Sequence, residues 1–161
     1  MTDSRWELAE KLQKAAWMMA TAESCTGGLI AGACTDLAGS SNWFERGFVT
    51  YSNAAKTELL GVDAALIDQF GAVSEAVARA MAEGVRRVSG ADYGLAVTGI
   101  AGPSGAAAGK PVGLVFCAAS GPGGTRVERF LFLGDRSHVQ AQAAQGILDI
   151  LRRRLEEKPA R

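Results

Sequence analysis

Residues Ala22 to Gly28 read Ala-Glu-Ser-Cys-Thr-Gly-Gly, and four of them, Glu23, Ser24, Cys25 and Thr26, carry reactive or hydrogen-bonding side chains. Two chemistries are open to such a cluster. A serine hydroxyl becomes a nucleophile when a base takes its proton and N–H groups stabilise the oxyanion that follows. A cysteine does so more readily where a helix N-terminus lowers its pKa. Both residues also have plainer uses, Ser24 as a turn or N-cap residue and Cys25 as a packed thiol. Cys25 should point away from Ser24 if the preceding strand continues, so packing is its expected role.

A serine nucleophile needs a base. His138 is the only histidine, and it stands among Arg136, Ser137 and Gln140, the setting of a solvated side chain, so a Ser-His-Asp triad is not expected. A lysine serves instead when burial or nearby positive charge holds it neutral. Lys56 and Lys110 are the only lysines between Lys14 and Lys158. Lys56 follows a predicted strand, and strand ends in an α/β sheet share the edge where ligands bind, so Lys56 can reach Ser24. Read alone, a solvated lysine on a short amphipathic helix is its plainer role. Ser52 is expected to cap that helix.

The elements that would position these groups alternate. Leu8, Leu12 and Ala15-Ala16 have helical spacing. An apolar run at 17–22 predicts the first strand, and the turn at Glu23–Gly28 feeds a helix to about Leu37. That junction collects free N–H groups and the positive end of a helix dipole, a natural seat for an anion or oxyanion. A second strand is predicted at Phe48–Tyr51, and short helices at Ser52–Leu60 and Ala64–Gln69. A longer helix runs from Ser74 to Val88, and a small-residue strand from Tyr93 to Thr98. The glycine-rich loop 99–109 can bring backbone close to a ligand. Strands at 113–119 and 127–133, joined by a hairpin, precede a long helix at 137–157. Strands alternating with helices, then a hairpin, predict an α/β sandwich with a mixed sheet, folded as one domain over residues 1–161.

Bulk composition narrows the function. The 17 basic and 17 acidic side chains cancel, and the basic run Arg152–Arg154 is followed by Glu156-Glu157, which argues against nucleic acid as a partner. No apolar stretch approaches the ~20 residues of a membrane span, and Met1–Glu7 lacks the pattern of a signal peptide. The odd set Cys25, Cys34 and Cys117 fits free thiols in a reducing cytoplasm. Gly109-Lys110 is followed by Pro111, so the loop is not a P-loop. No dinucleotide fingerprint follows a strand, and one histidine without clustered carboxylates gives no metal or cofactor site.

Assembled, the residues resemble the nicotinamide-nucleotide amidohydrolase family, also known as the C-terminal domain of the CinA competence/damage-inducible proteins. The resemblance rests on Thr21–Gly28, on Gly47-Phe48-Val49-Thr50-Tyr51-Ser52-Asn53 with Lys56, and on Gly71-Ala72-Val73-Ser74. It continues through Thr98-Gly99-Ile100-Ala101-Gly102-Pro103, Lys110-Pro111-Val112-Gly113 and Gly134-Asp135-Arg136. The resemblance implies a three-layer α/β/α sandwich with a mixed, mainly parallel sheet, and deamidation of a small nucleotide, nicotinamide mononucleotide. It implies Ser24 as nucleophile, Lys56 as general base, and Tyr51 and Thr98 as supporting hydroxyls. Expected substrate contacts are Glu23, Thr26, Gly27, Gly28, Gly99, Lys110 and Arg136. The amides of Thr26 to Gly28 are the expected oxyanion donors, and Arg136, Lys110 or the helix N-terminus at Gly27 would hold the phosphate. A homo-oligomer is implied as well. Two features depart from the family pattern: Ser104 with Ala106-Ala107-Ala108 in the loop, and Gln140 where a second arginine is often found.

Overall fold

The computed structural model describes residues 3–157. Helix α1 (Ser4–Ala15) begins where the Asp3 carboxylate accepts from the Arg5 N–H and ends at Ala16 in the left-handed conformation. Strand β1 (Met19–Glu23), buried throughout, leads into α2 (Leu29–Thr35), and a 3-10 turn at Ser40–Asn42 precedes β2 (Phe44–Val49). Then come α3 (Asn53–Leu60), α4 (Ala64–Phe70), α5 (Glu75–Ser89) and β3 (Tyr93–Gly99). Strands β4 (Leu114–Gly121) and β5 (Gly124–Leu131) form a hairpin, and α6 (Arg136–Glu156) closes the fold.

The strand order is β2-β1-β3-β4-β5. Strand β1 pairs parallel with both β2 and β3, while β4 is antiparallel to β3 and to β5. Four of the five strands therefore run one way, and the sheet is mixed and mainly parallel, as expected. Strand alternation sorts the two faces. Met19, Leu95, Val97, Val115 and Cys117 pack with α1, α2 and α6. Ala20, Ala22, Ala96 and Ala118 pack with α3, α4 and α5. The alanine face lets α5 approach closely: a Cβ at Gly94 would stand 2.3 Å from the Ala82 carbonyl oxygen. Helices thus cover both faces of the sheet, which makes three layers.

Several boundaries differ from the sequence reading. Strand β2 starts at Phe44 and stops at Val49, rather than covering Phe48–Tyr51. The ladder continues for one bond, from the Thr50 N–H to the Glu23 carbonyl, before the chain turns toward α3. Helix α2 ends at Thr35, short of Leu37. The hairpin is tighter than expected: Gly121 pairs with Gly124 across Pro122-Gly123, with Gly123 at φ 92°. No helix among the described residues is long and apolar enough to cross a membrane.

Candidate active site

The C-terminal ends of β1, β2 and β3 deliver three segments to one edge of the sheet. Ser24 follows β1 directly, and its N–H donates to the Val97 carbonyl of β3. Lys56 lies in the first turn of α3, which the Ser52 hydroxyl caps by accepting from the Ala55 N–H at 3.0 Å. Between them is a cleft of about 330 Å³, lined by Ser24, Cys25, Tyr51, Lys56, Thr98 and Arg136 and walled by residues 72–73, 99–102 and 104–105. That volume suits a small molecule.

Lys56 is 1% exposed. Its Nζ lies 3.1 Å from Ser24 Oγ and donates to the carbonyls of Thr50 at 2.8 Å and Tyr51 at 3.2 Å. All three partners are neutral oxygens. Burial therefore pushes the amine below the ordinary lysine pKa of 10.5. The first turn of α3 adds the positive end of a helix dipole, which also disfavours the charged form. Ser24 is 9% exposed, open to the cleft on one side only.

The carboxylate of Glu23 is buried on the other side of the turn. It accepts from the N–H groups of Gly28 at 3.2 Å, Ile30 at 2.9 Å and Ala31 at 3.0 Å. The anion that the α2 N-terminus attracts is thus supplied by the chain itself. Gly27 donates inward to the Ser24 carbonyl. The structure accordingly takes Gly27 and Gly28 out of the expected oxyanion donors, because their N–H groups already have partners within the turn. Of the expected donors only the Thr26 amide remains, and the Cys25 amide, which was not among them, stands next to it in the turn. The Thr26 hydroxyl is buried without a partner among the described residues and does not line the cleft.

Thr98 lines the cleft, and its hydroxyl donates to the Ala72 carbonyl at 2.8 Å, so it pins the wall made by residues 72–73. Lys110 pins the same segment from outside, donating to the Phe70 carbonyl at 2.6 Å, and is not part of the cleft. Tyr51 is 61% exposed. Its hydroxyl accepts from Arg136 Nη2 at 3.1 Å, while Arg136 Nη1 donates to the Gly102 carbonyl at 2.8 Å. Arg136 therefore bridges the cleft mouth. Gly99 lines the cleft where β3 ends.

Of the sequence-selected residues, then, Ser24, Lys56, Tyr51, Thr98, Gly99 and Arg136 come together, and Glu23, Thr26, Gly27, Gly28 and Lys110 surround them without lining the cleft. Cys25 lines it, yet its thiol is buried and pushed up to about 11 by desolvation, the opposite of an activated nucleophile. Sequence reasoning missed the 72–73 wall, although Gly71-Ala72-Val73-Ser74 was among the conspicuous motifs. It also missed the role of Gln140, whose amide donates to the Cys25 carbonyl at 2.9 Å.

Fold and site together define a class: a three-layer α/β/α domain with a serine–lysine contact buried at the C-terminal edge of its sheet. The chain belongs to the CinA C-terminal domain family, whose model matches residues 2–155. It is 54% identical over 139 residues to the nicotinamide-nucleotide amidohydrolase PncC of Enterobacter agglomerans, covering 86% of this chain and 85% of that protein. A CinA-like protein of Geotalea daltonii is 53% identical over 152 residues, 94% of this chain but 37% of its own length. The chain thus spans about a third of that longer relative. Among solved structures, the competence damage-inducible protein A of Klebsiella pneumoniae superposes with a TM-score of 0.92 at 38% identity, covering 95% of both chains. The competence/damage inducible protein CihA of Agrobacterium tumefaciens gives 0.88 at 41% identity over 98% of both.

Proposed function

We propose that this chain hydrolyses the carboxamide of nicotinamide mononucleotide, giving nicotinate mononucleotide and ammonia, with Ser24 as nucleophile and Lys56 as general base. One observation carries the mechanism: a buried amine, surrounded by neutral oxygens, lies 3.1 Å from a serine hydroxyl. A neutral amine has two N–H groups and one lone pair. The carbonyls of Thr50 and Tyr51 take the two N–H groups, and the lone pair is left for the Ser24 proton.

In the forward step Lys56 takes the proton of Ser24 as Oγ bonds to the carboxamide carbon. The oxyanion is met by the Cys25 amide. Its partner carbonyl, on Ser24, accepts from Gly27, so the trans peptide turns the Cys25 N–H away from the turn. One such donor lowers a barrier by ~3 kcal/mol. Collapse breaks the C–N bond, and the proton on Lys56 leaves with ammonia. Water then attacks the acyl-enzyme, Lys56 accepts its proton, and Ser24 is released with that proton returned. The cationic pyridinium of the substrate favours neutral Lys56 and makes the carboxamide carbon more electrophilic. The place of Arg136 in the cleft lining supports assigning it the phosphate, since Lys110 lies outside the cleft and the α2 N-terminus already holds Glu23.

The relative PncC supports the substrate, and the three buried free thiols support a reducing cytoplasm as the setting. Recycling of pyridine nucleotides is the proposed role, carried out by a single-domain chain assembled as a homo-oligomer, which gel filtration with light scattering would detect. The decisive assay is ammonia release from nicotinamide mononucleotide by wild type, Ser24→Ala and Lys56→Ala. Turnover in wild type and loss in both variants support the proposal. Tight substrate binding by a folded wild type without turnover would instead make the chain a nucleotide-binding module.

A further inference from the structure

The nucleophile turn is held almost entirely by its own chain. The Ser24 carbonyl accepts from Gly27, the Thr26 carbonyl from Leu29 and the Gly28 carbonyl from Gly32. Glu23 grips the far end through three amides. The Cys25 carbonyl is different, because its donor is the side chain of Gln140, 115 residues away in the second turn of α6. That helix is anchored by Val139, Ala143 and Ile147, all fully buried against the sheet. The Gln140 amide therefore reaches the turn from a rigid support.

We propose that Gln140 is a positioning residue for the reaction, acting by fixing the Cys25–Thr26 peptide plane beside the nucleophile. The physical reason is the geometry of a trans peptide. Its C=O and N–H point in opposite directions, so a bond that fixes one fixes the other. Rotation of this plane turns the ψ of Cys25 and the φ of Thr26. That rotation re-aims the Thr26 N–H, whereas the Cys25 N–H is held separately by the Gly27 bond to the Ser24 carbonyl. Gln140 thus fixes the aim of the Thr26 N–H, which stands next to the Cys25 amide where the oxyanion forms. That aim matters more in the transition state than in the ground state, so the loss falls on kcat and leaves KM in place.

This inference rests on Ser24 being the nucleophile, and its test separates the two. Gln140→Leu keeps the side-chain bulk and removes the donor, while Gln140→Arg restores an N–H of longer reach. Gln142→Leu is the control on the same helix, since Gln142 donates to Leu133 and His138 carbonyls at the surface. Two rates are read for each variant: deamidation of nicotinamide mononucleotide, and covalent labelling of Ser24 by a fluorophosphonate, which needs no natural substrate. The expected result is a fall of about tenfold in kcat and in labelling rate for Gln140→Leu, with KM within twofold. Gln140→Arg recovers most of the loss, and Gln142→Leu matches wild type. Unchanged labelling and kcat in Gln140→Leu overturn the proposal, as does a rise in KM at constant kcat, which would make Gln140 a substrate contact. A loss that Gln140→Arg fails to recover overturns it too. If wild type labels at Ser24 but does not deamidate the nucleotide, the substrate reading fails and the labelling rates still decide the role of Gln140.

Discussion

Two basic side chains are buried at opposite ends of this molecule, and each is held by neutral oxygens. Lys56 meets two carbonyls and the Ser24 hydroxyl at the cleft. Arg154, 6% exposed, donates to the carbonyls of Ala119, Pro122 and Gly124 under the β4–β5 hairpin, and its guanidinium lies 5.6 Å from the centre of the Tyr93 ring. Burial disfavours the charge on both. The outcomes differ because the side chains differ. A guanidinium stays protonated at any accessible pH, so Arg154 can only fasten the hairpin. An ammonium gives up its proton under the same pressure, and Lys56 has a hydroxyl within reach to exchange it with. Burial of a cation is therefore no sign of chemistry by itself; the sign is a burial-sensitive cation facing a group with a proton to move.

The sharpest way to break that contrast is to exchange the groups. Lys56→Arg places a permanently charged donor at the cleft, and deamidation should fall at least about a thousandfold, as should Ser24→Ala, while circular dichroism stays native. Substantial activity in Lys56→Arg would remove the lysine as base. At the other end, Arg154→Met strips three carbonyls of their donor. We expect a loss of about 2–3 kcal/mol, seen as a melting temperature lower by roughly 5–10 °C, with kcat of the folded protein unchanged. A kcat that drops with Arg154 would mean the two ends are coupled.

How the first of these groups could be found from sequence, and the second could not, follows from chain distance. Ser24 and Lys56 each follow an apolar run within a few residues, and Gly27-Gly28 and Ser52 mark the turns that expose them. Glu23 is implied as a substrate contact by the family resemblance; only its burial beneath α2 shows it serving that helix's amides. Lys110 misled for a similar reason, since nothing local announces that the Phe70 carbonyl is 2.6 Å from its amine. The β2 boundary was misplaced because Thr50 and Tyr51 have strand-forming side chains, whereas their carbonyls are turned to Lys56. Gln140 has no local signal at all, because its partner lies in a turn formed 115 residues earlier.

Smaller effects sharpen the comparison further. With the pKa of Lys56 depressed in the folded state, the unfolded chain holds a proton that the folded chain has released over the window between that value and 10.5. Stability should therefore rise with pH across the window, and below it both states are protonated and the burial cost is carried in full. Denaturant unfolding at a series of pH values should show this rise in wild type and its disappearance in Lys56→Met. The deamidation kcat/KM should fall as pH drops through the same folded-state pKa, because the base is then charged. A flat profile in both would mean that Lys56 does not titrate. Smallest of all is the effect of Cys25→Ala. With its thiol pushed up to about 11, Cys25 should be inert to iodoacetamide at neutral pH, and the variant should keep activity within about threefold.

The last helix touches both ends of this comparison. Its 21 residues extend roughly 30 Å, with Arg136 and Gln140 in the opening turns and Arg154 in the closing one. One codon gained or lost near Ile147 would swing everything beyond it by about 100°, leaving either the hairpin or the nucleophile turn without its donor. Substitutions can accumulate along the outer face of this helix, but its length cannot drift. The exposed loop tip at 106–109 should accept insertions and deletions between related sequences, while α6 keeps a constant residue count between Arg136 and Arg154.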